Sequence, residues 1–184
     1  MIREAHLEAT AEGLVPCSDG WYVLNARRAC WLHADGRSAV CDFEGEGDAA
    51  FPQLGINLSV LAPGQTMAMY HWEIDQENFL VISGEARLIV EGVERMLGQW
   101  DFVHCPAGTK HVIVGVGAGP CVVLAVGARG TSNGPDWGGY TVEPAAAPYG
   151  ASVEEDTTEP QTAYARLRRR RPVNYQAGWL AADD

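Results

Sequence analysis

Three residues near the middle of the chain, His71, Glu73 and Glu77, combine metal-ligating side chains with a spacing that can bring them together. On an extended strand successive side chains alternate between faces, so His71 and Glu73 share one face. Glu77 keeps the same parity if the chain stays extended. Farther on, His104 and His111 flank Cys105-Pro106-Ala107-Gly108-Thr109-Lys110, which reads as a tight turn between strands. Neutral imidazoles together with carboxylates make a suitable donor set for a divalent transition metal. His104 reads more simply as a hydrogen-bonded strand histidine, and Cys105 as a small buried hydrophobe.

These residues need short, rigid elements to hold them. From Leu54 to Ala128 the chain is a series of segments four to eight residues long and rich in β formers. They are Ile56–Leu61, Thr66–Glu73, Asn78–Ile82, Ala86–Glu91, Trp100–His104, Val112–Val114 and Cys121–Val126. The breaks between them (Ala62-Pro-Gly, Ser83-Gly-Glu, Glu91-Gly-Val-Glu, Pro106-Ala-Gly, Gly117-Ala-Gly-Pro) carry turn chemistry. Such regular punctuation predicts a sandwich or barrel. Gly20 to Asp48 adds two or three strands, with Trp21–Leu24 among the candidates. After Arg129 the text changes to a loop through Gly139, then to a Pro/Ala connector at Glu143–Pro148. One short helix is expected within Val153–Arg168, acidic at its start and basic at its end. Pro172 to Asp184 has no clear period. The apolar run Val112–Ala128 is divided by Gly115, Gly117, Gly119 and Pro120, so two buried strands fit it better than a membrane span.

The 184 residues suffice for one hydrophobic core, and the chain is read as a single domain: N-terminal strands at 1–53, a barrel at 54–128 and a C-terminal arm at 129–184. Twenty-four acidic residues against thirteen basic ones give a net charge of -11. That balance repels phosphate backbones and anionic lipid, so neither nucleic acid nor membrane is an expected partner. Five of the thirteen basic residues are Arg166 and Arg168–Arg171. Pairing of this cluster with Glu154-Glu155-Asp156, or across a subunit interface, is its simplest reading. The five cysteines contain no C-x-x-C pair, which argues against a disulfide framework or a cysteine–zinc site. The first residues contain no apolar stretch of signal-peptide length, and the expected location is the cytoplasm.

The spacing of Gly64, His71, Glu73, Glu77 and Gly84 resembles the first motif of the cupin superfamily. Gly98, followed by Trp100-Asp-Phe-Val-His-Cys-Pro-Ala-Gly-Thr-Lys-His111, resembles the second. The resemblance covers residues 54 to 128. It implies an all-β fold, a cupin-type jelly-roll β-barrel (double-stranded β-helix), here with N-terminal strands and a C-terminal arm containing the short helix. It also implies one divalent transition metal in the barrel (Zn, Fe, Mn or Ni), with His71, Glu77 and His111 at ligand positions. Glu73 stands where the family usually has its second histidine, and Gly115 replaces the closing asparagine of the second motif. As a ligand, Glu73 would give a harder site that favours Mn, Fe or Zn over Cu. Standing back, it would leave two imidazoles and one carboxylate and be free as a catalytic acid or base.

Parity with His71 and Glu77 places Met67, Met69, Phe79 and Val81 in an interior that is mostly apolar beyond its polar floor. A small organic molecule is the expected ligand or substrate. The family hosts metal-dependent enzymes, non-catalytic binding or sensing modules and sugar isomerases or epimerases, and the fold does not choose among them. Both flanks are long enough to embrace a neighbour, and a homodimer is expected.

Overall fold

The computed structural model describes residues 1–130 and 137–181. Most of the loop expected between Gly130 and Gly139 therefore lies outside the described residues. In chain order the strands are β1 (Leu7–Thr10), β2 (Gly13–Pro16), β3 (Trp31–His33), β4 (Ala39–Asp42), β5 (Leu54–Leu61), β6 (His71–Glu73) and β7 (Glu77–Ser83). They continue with β8 (Glu85–Val90), β9 (Val93–Leu97), β10 (Phe102–Cys105), β11 (His111–Val116), β12 (Cys121–Ala128), β13 (Gly138–Tyr140) and β14 (Arg171–Val173). A four-residue helix, α1 (Pro160–Ala163), precedes β14.

Two sheets face one another. One has the order β10-β7-β12-β5-β4-β3-β14, the other β13-β6-β11-β8-β9, and every pairing between their strands is antiparallel. This is the expected all-β barrel. Between the sheets lies an apolar core that joins Leu61, Phe79, Val81, Val123 and Ala125 to Ala86, Leu88, Leu97 and Ile113. Its residues alternate along their strands with an outward set, which is buried too. Ala39, Cys41, Val60 and Val122 pack with Trp31 on the outside of the larger sheet. Tyr70, Ile89, Val112 and Val114 pack beneath Ala146 and Ala151 on the outside of the smaller one. Double coverage explains why these strands read as continuous apolar runs.

The flanks supply that coverage. The Pro/Ala connector lies on the smaller sheet, where the Tyr70 amide donates to the Ala151 carbonyl at 2.7 Å. The residues after Pro172, which have no sequence period, fold back on the larger sheet. β14 pairs with β3, and Tyr175 and Trp179 tilt against Trp31 at ring-centroid distances of 6.1 and 5.0 Å. The C-terminal arm thus embraces its own barrel. At the other end β1 and β2 form a hairpin that the sequence reading did not separate from the extension.

Three local expectations need correction. Trp21–Leu24 is not a strand, and only an isolated bridge joins Trp21 to Glu4. The strand expected over Thr66–Glu73 is regular only at His71–Glu73. Before it, the Met67 amide bonds to Ile113 of β11 while the Tyr70 amide bonds to Ala151 of the connector, so the segment bends between two partners instead of continuing one ladder. The helix expected within Val153–Arg168 shrinks to Pro160–Ala163. Thr157 exchanges two backbone bonds with Tyr140, and two residues lead from it to Pro160, which starts a helix but cannot sit inside one.

Trp31 is fully buried at the junction of β3, β4 and the returning C-terminus. Trp31→Ala is expected to lower unfolding free energy by about 3–5 kcal/mol in denaturant titration. Trp179→Ala, which removes a half-buried neighbour of the same ring, should cost less.

Candidate metal centre

Antiparallel pairing sets His71 of β6 directly opposite His111 of β11. Directly opposed residues put their side chains on the same face of a sheet, and the two rings lie 4.8 Å apart, centroid to centroid. Glu77 arrives from the other sheet, at the first position of β7. Its Oε2 lies 3.3 Å from His111 Nε2 and 3.7 Å from His71 Nε2. The donor atoms of His71, Glu77 and His111 all fall within 4.8 Å of one another. Phe79 packs on the His111 ring, and Trp137 and Tyr140 lie beside His71.

The other nitrogen of each ring fixes its orientation. His71 Nδ1 lies 2.8 Å from the Met69 carbonyl, and His111 Nδ1 lies 3.0 Å from the Thr109 carbonyl. A carbonyl only accepts, so both Nδ1 atoms carry the proton and both Nε2 atoms present a lone pair to the centre. Burial holds both imidazoles neutral: it pushes His71 down to about 3, with the neighbouring His111 adding to the effect, and it lowers His111 as well. The close contacts to Glu77 are therefore not ion pairs. His111 Nε2 is buried with no hydrogen-bond partner. Burial and the nearby Glu73 raise the Glu77 carboxyl to about 8. In the metal-free protein the Glu77 proton is the one donor among these groups; once it leaves, three lone-pair groups converge, an arrangement that a small cation satisfies. The donor set and its spacing fit a divalent transition metal with ligand bonds of about 2.0–2.2 Å.

Glu73 is brought close but not into this group. Its Oε1 lies 3.8 Å from His71 Nε2. Its carboxyl is raised by burial and by Asp75, with Arg129 opposing. Residues 74–76 leave the strand between it and Glu77, yet both carboxyl groups come to the same side of His71. His104 is exposed on β10 and bonds to the Asn78 side chain at 2.7 Å. Cys105 is buried, and burial pushes its thiol up to about 11. The missing asparagine of the second motif has a steric cause. A Cβ on Gly115 would stand 2.6 Å from the Ala62 carbonyl oxygen and 2.7 Å from that of Leu61, so only glycine allows β11 this approach.

The three donors line a cavity of about 220 Å³ between the sheets. Met67, Phe79 and Ile113 give it apolar walls, while Met69 turns away to pack with Tyr140 and Ala163, which corrects its expected interior position. The larger sheet adds Asn57 and Ser59, and the C-terminal arm adds Tyr164 and Arg170. Sequence reasoning missed these four. The first two sit at alternate positions of β5, a signal that parity could have caught, but nothing local marks the arm residues. The rest of the basic cluster is external: Arg166 pairs with Glu154, and Arg168 pairs with Asp35 at 2.9 Å.

No functionally curated protein matches the chain. The polyketide cyclase RemF from Streptomyces resistomycificus is similar in structure, at 14% identity over 59% of this chain and 80% of its own, with a TM-score of 0.51. A sugar phosphate isomerase of the cupin superfamily from Silicibacter pomeroyi DSS-3 aligns at 29% identity over 50% of this chain and 59% of its own, with a TM-score of 0.44. The DMSP lyase DddQ from Ruegeria pomeroyi DSS-3 aligns at 25% identity over 53% and 50%, with a TM-score of 0.45. The chain thus spans 59% and 50% of the length of the last two. No described helix is long and apolar enough to cross a membrane. Residues 57–127 match the family model for the cupin domain, and that match agrees with the facing antiparallel sheets and both motifs: the barrel of this chain is a cupin domain.

Proposed function

We propose that His71, Glu77 and His111 bind one divalent transition metal, and that the cavity beside it binds or transforms a small organic molecule. The observation that carries this reading is the buried Nε2 of His111, which has no hydrogen-bond partner and faces a carboxyl oxygen of Glu77 and a second imidazole lone pair. Within it the Met69 and Thr109 carbonyls hold the two histidines in the ligating tautomer. A bound divalent ion supplies Lewis-acid polarisation of a substrate oxygen. Glu73, beside His71 and outside the three-donor group, is the acid or base available to move a proton, because its raised pKa brings it nearer to neutrality. Apolar walls and the Trp137–Tyr140 aromatic pair limit the water that reaches the centre.

Elemental analysis of protein purified without added metal is expected to find about one transition metal per chain in the wild type. His71→Ala, His111→Ala and Glu77→Gln should lose it. Equal trace metal in all four proteins overturns the site. Glu73→Gln should keep the metal and change turnover or ligand affinity; loss of metal in this variant would make Glu73 a ligand.

The metal-free protein should show its own pH dependence. Glu77 titrates higher in the fold than in the unfolded chain, so the folded state holds the extra proton and stability falls as pH rises from 4.5 towards about 8. The depressed histidines act oppositely below their ordinary 6.5. Between pH 6.5 and 8 only the carboxyl effect remains, and stability should drop by about 1–2 kcal/mol. Glu77→Gln should flatten that part of the curve, as measured by denaturant titration of metal-stripped protein.

A further inference from the structure

Arg170 sits in the stretch between α1 and β14, far from both motifs in sequence, yet it lines the same cavity as His71, Glu77 and His111. Its guanidinium is held from one side. Nε donates to the Ser38 carbonyl at 3.0 Å, and Nη2 donates to the buried Ser38 hydroxyl at 2.5 Å and to the Met67 carbonyl at 3.5 Å. All three acceptors are neutral. Among the described residues no carboxylate lies within ion-pair distance of Arg170, and Nη1 has no hydrogen-bond partner. Burial and then Arg37 oppose the charge while Tyr164 and Asp42 favour it, and the group stays protonated at neutral pH with a pKa lowered to about 10. Among the described residues Arg170 is also the only lysine or arginine lining this cavity.

A partly buried, fixed cation with a free donor and no counter-ion is half of an ion pair. We propose that Arg170 receives the carboxylate of a small organic acid, so that the substrates of this site are monoanionic carboxylates held between Arg170 and the metal centre. The inference rests on the proposed function only for the metal end of the ligand. Size favours a metabolite, because about 220 Å³ is below the ~300–1,000 Å³ of pockets for drug-sized ligands. Charge favours a carboxylate over a phosphate ester. A phosphate dianion asks for several donors, and here one guanidinium stands among the apolar walls of Val40, Met67, Phe79 and Ile113. Tyr164 shares the cavity. Its hydroxyl accepts from the Met69 amide at 3.2 Å and also meets the Tyr140 side chain.

Isothermal calorimetry with pyruvate, mandelate and benzoate, each compared with its amide and with inorganic phosphate, tests the proposal on metal-loaded and metal-stripped protein. At least one carboxylate should bind at least tenfold more tightly than its amide and than phosphate, in both forms of the protein. Arg170→Gln should remove that preference and keep the wild-type metal content; Arg170→Lys, which preserves the charge, should retain part of it. A purely structural Arg170 would lower the melting temperature on substitution without any carboxylate-to-amide discrimination in the wild type. That result overturns the inference, as do equal binding of acids and amides, tighter binding of phosphate, preference undiminished in Arg170→Gln, and no binding of any acid at millimolar concentration. If Arg170→Gln does not fold, Arg170→Lys and the wild-type comparison decide. Absence of metal from the wild type overturns the metal site alone, since the metal-stripped arm still reads Arg170.

Discussion

Every feature of the centre follows from the convergence of three lone-pair donors, two fixed by backbone carbonyls, in a space that burial keeps at low polarity. One pairing register creates it, because it sets His71 against His111 across two strands of the smaller sheet. The facing sheet completes it by starting β7 at Glu77. A slip of one residue in either strand would turn an imidazole to the outer face, where Tyr70 and Val112 now lie against the connector. The outer apolar cluster and the inner polar one therefore enforce the same register, and the packing of the connector is part of what holds the donors in place.

The C-terminal arm does two kinds of work. Its aromatic end, Tyr175 and Trp179, covers Trp31 and buries the outside of the larger sheet. Its middle, Tyr164 and Arg170, lines the cavity between the sheets and makes a mostly apolar interior asymmetric in charge. Glu77 lines the cavity with Glu73 close by, and one guanidinium faces the same space. A chain with a net charge of -11 has thus placed one of its thirteen basic residues where the field of a small cavity acts strongly.

Much of the barrel is legible in the sequence because turns at Ala62-Pro-Gly, Ser83-Gly-Glu and Pro106-Ala-Gly are local chemistry. Parity is local as well, and it holds wherever a ladder is unbroken, as for Phe79 and Val81. It fails for Met69, whose segment bends between β11 and the connector, whereas Glu73 keeps to the face of His71 and Glu77 reaches the same imidazole from the other sheet. Gly115 is a different case. Its departure from the motif is visible in the sequence, but its cause, the carbonyls of Leu61 and Ala62, exists only once β11 is packed. The arginine run shows the same limit. Arg166 and Arg168 follow the exposed pairing that the text suggests, while Arg170, two residues farther, is inside.

By itself the sequence determined an acidic β-barrel with its metal-ligating residue types in two motifs, because hydrophobic alternation, turn residues and ligand identity are properties of single residues and short spacings. Tertiary structure alone decided which of those residues meet, that Glu73 stands beside the His71, Glu77 and His111 group, and that Arg170 shares their cavity. Those outcomes depend on strand register and on the return path of a distant arm. Both are fixed by burying the two outer faces of the sheets, an energy that no local segment carries.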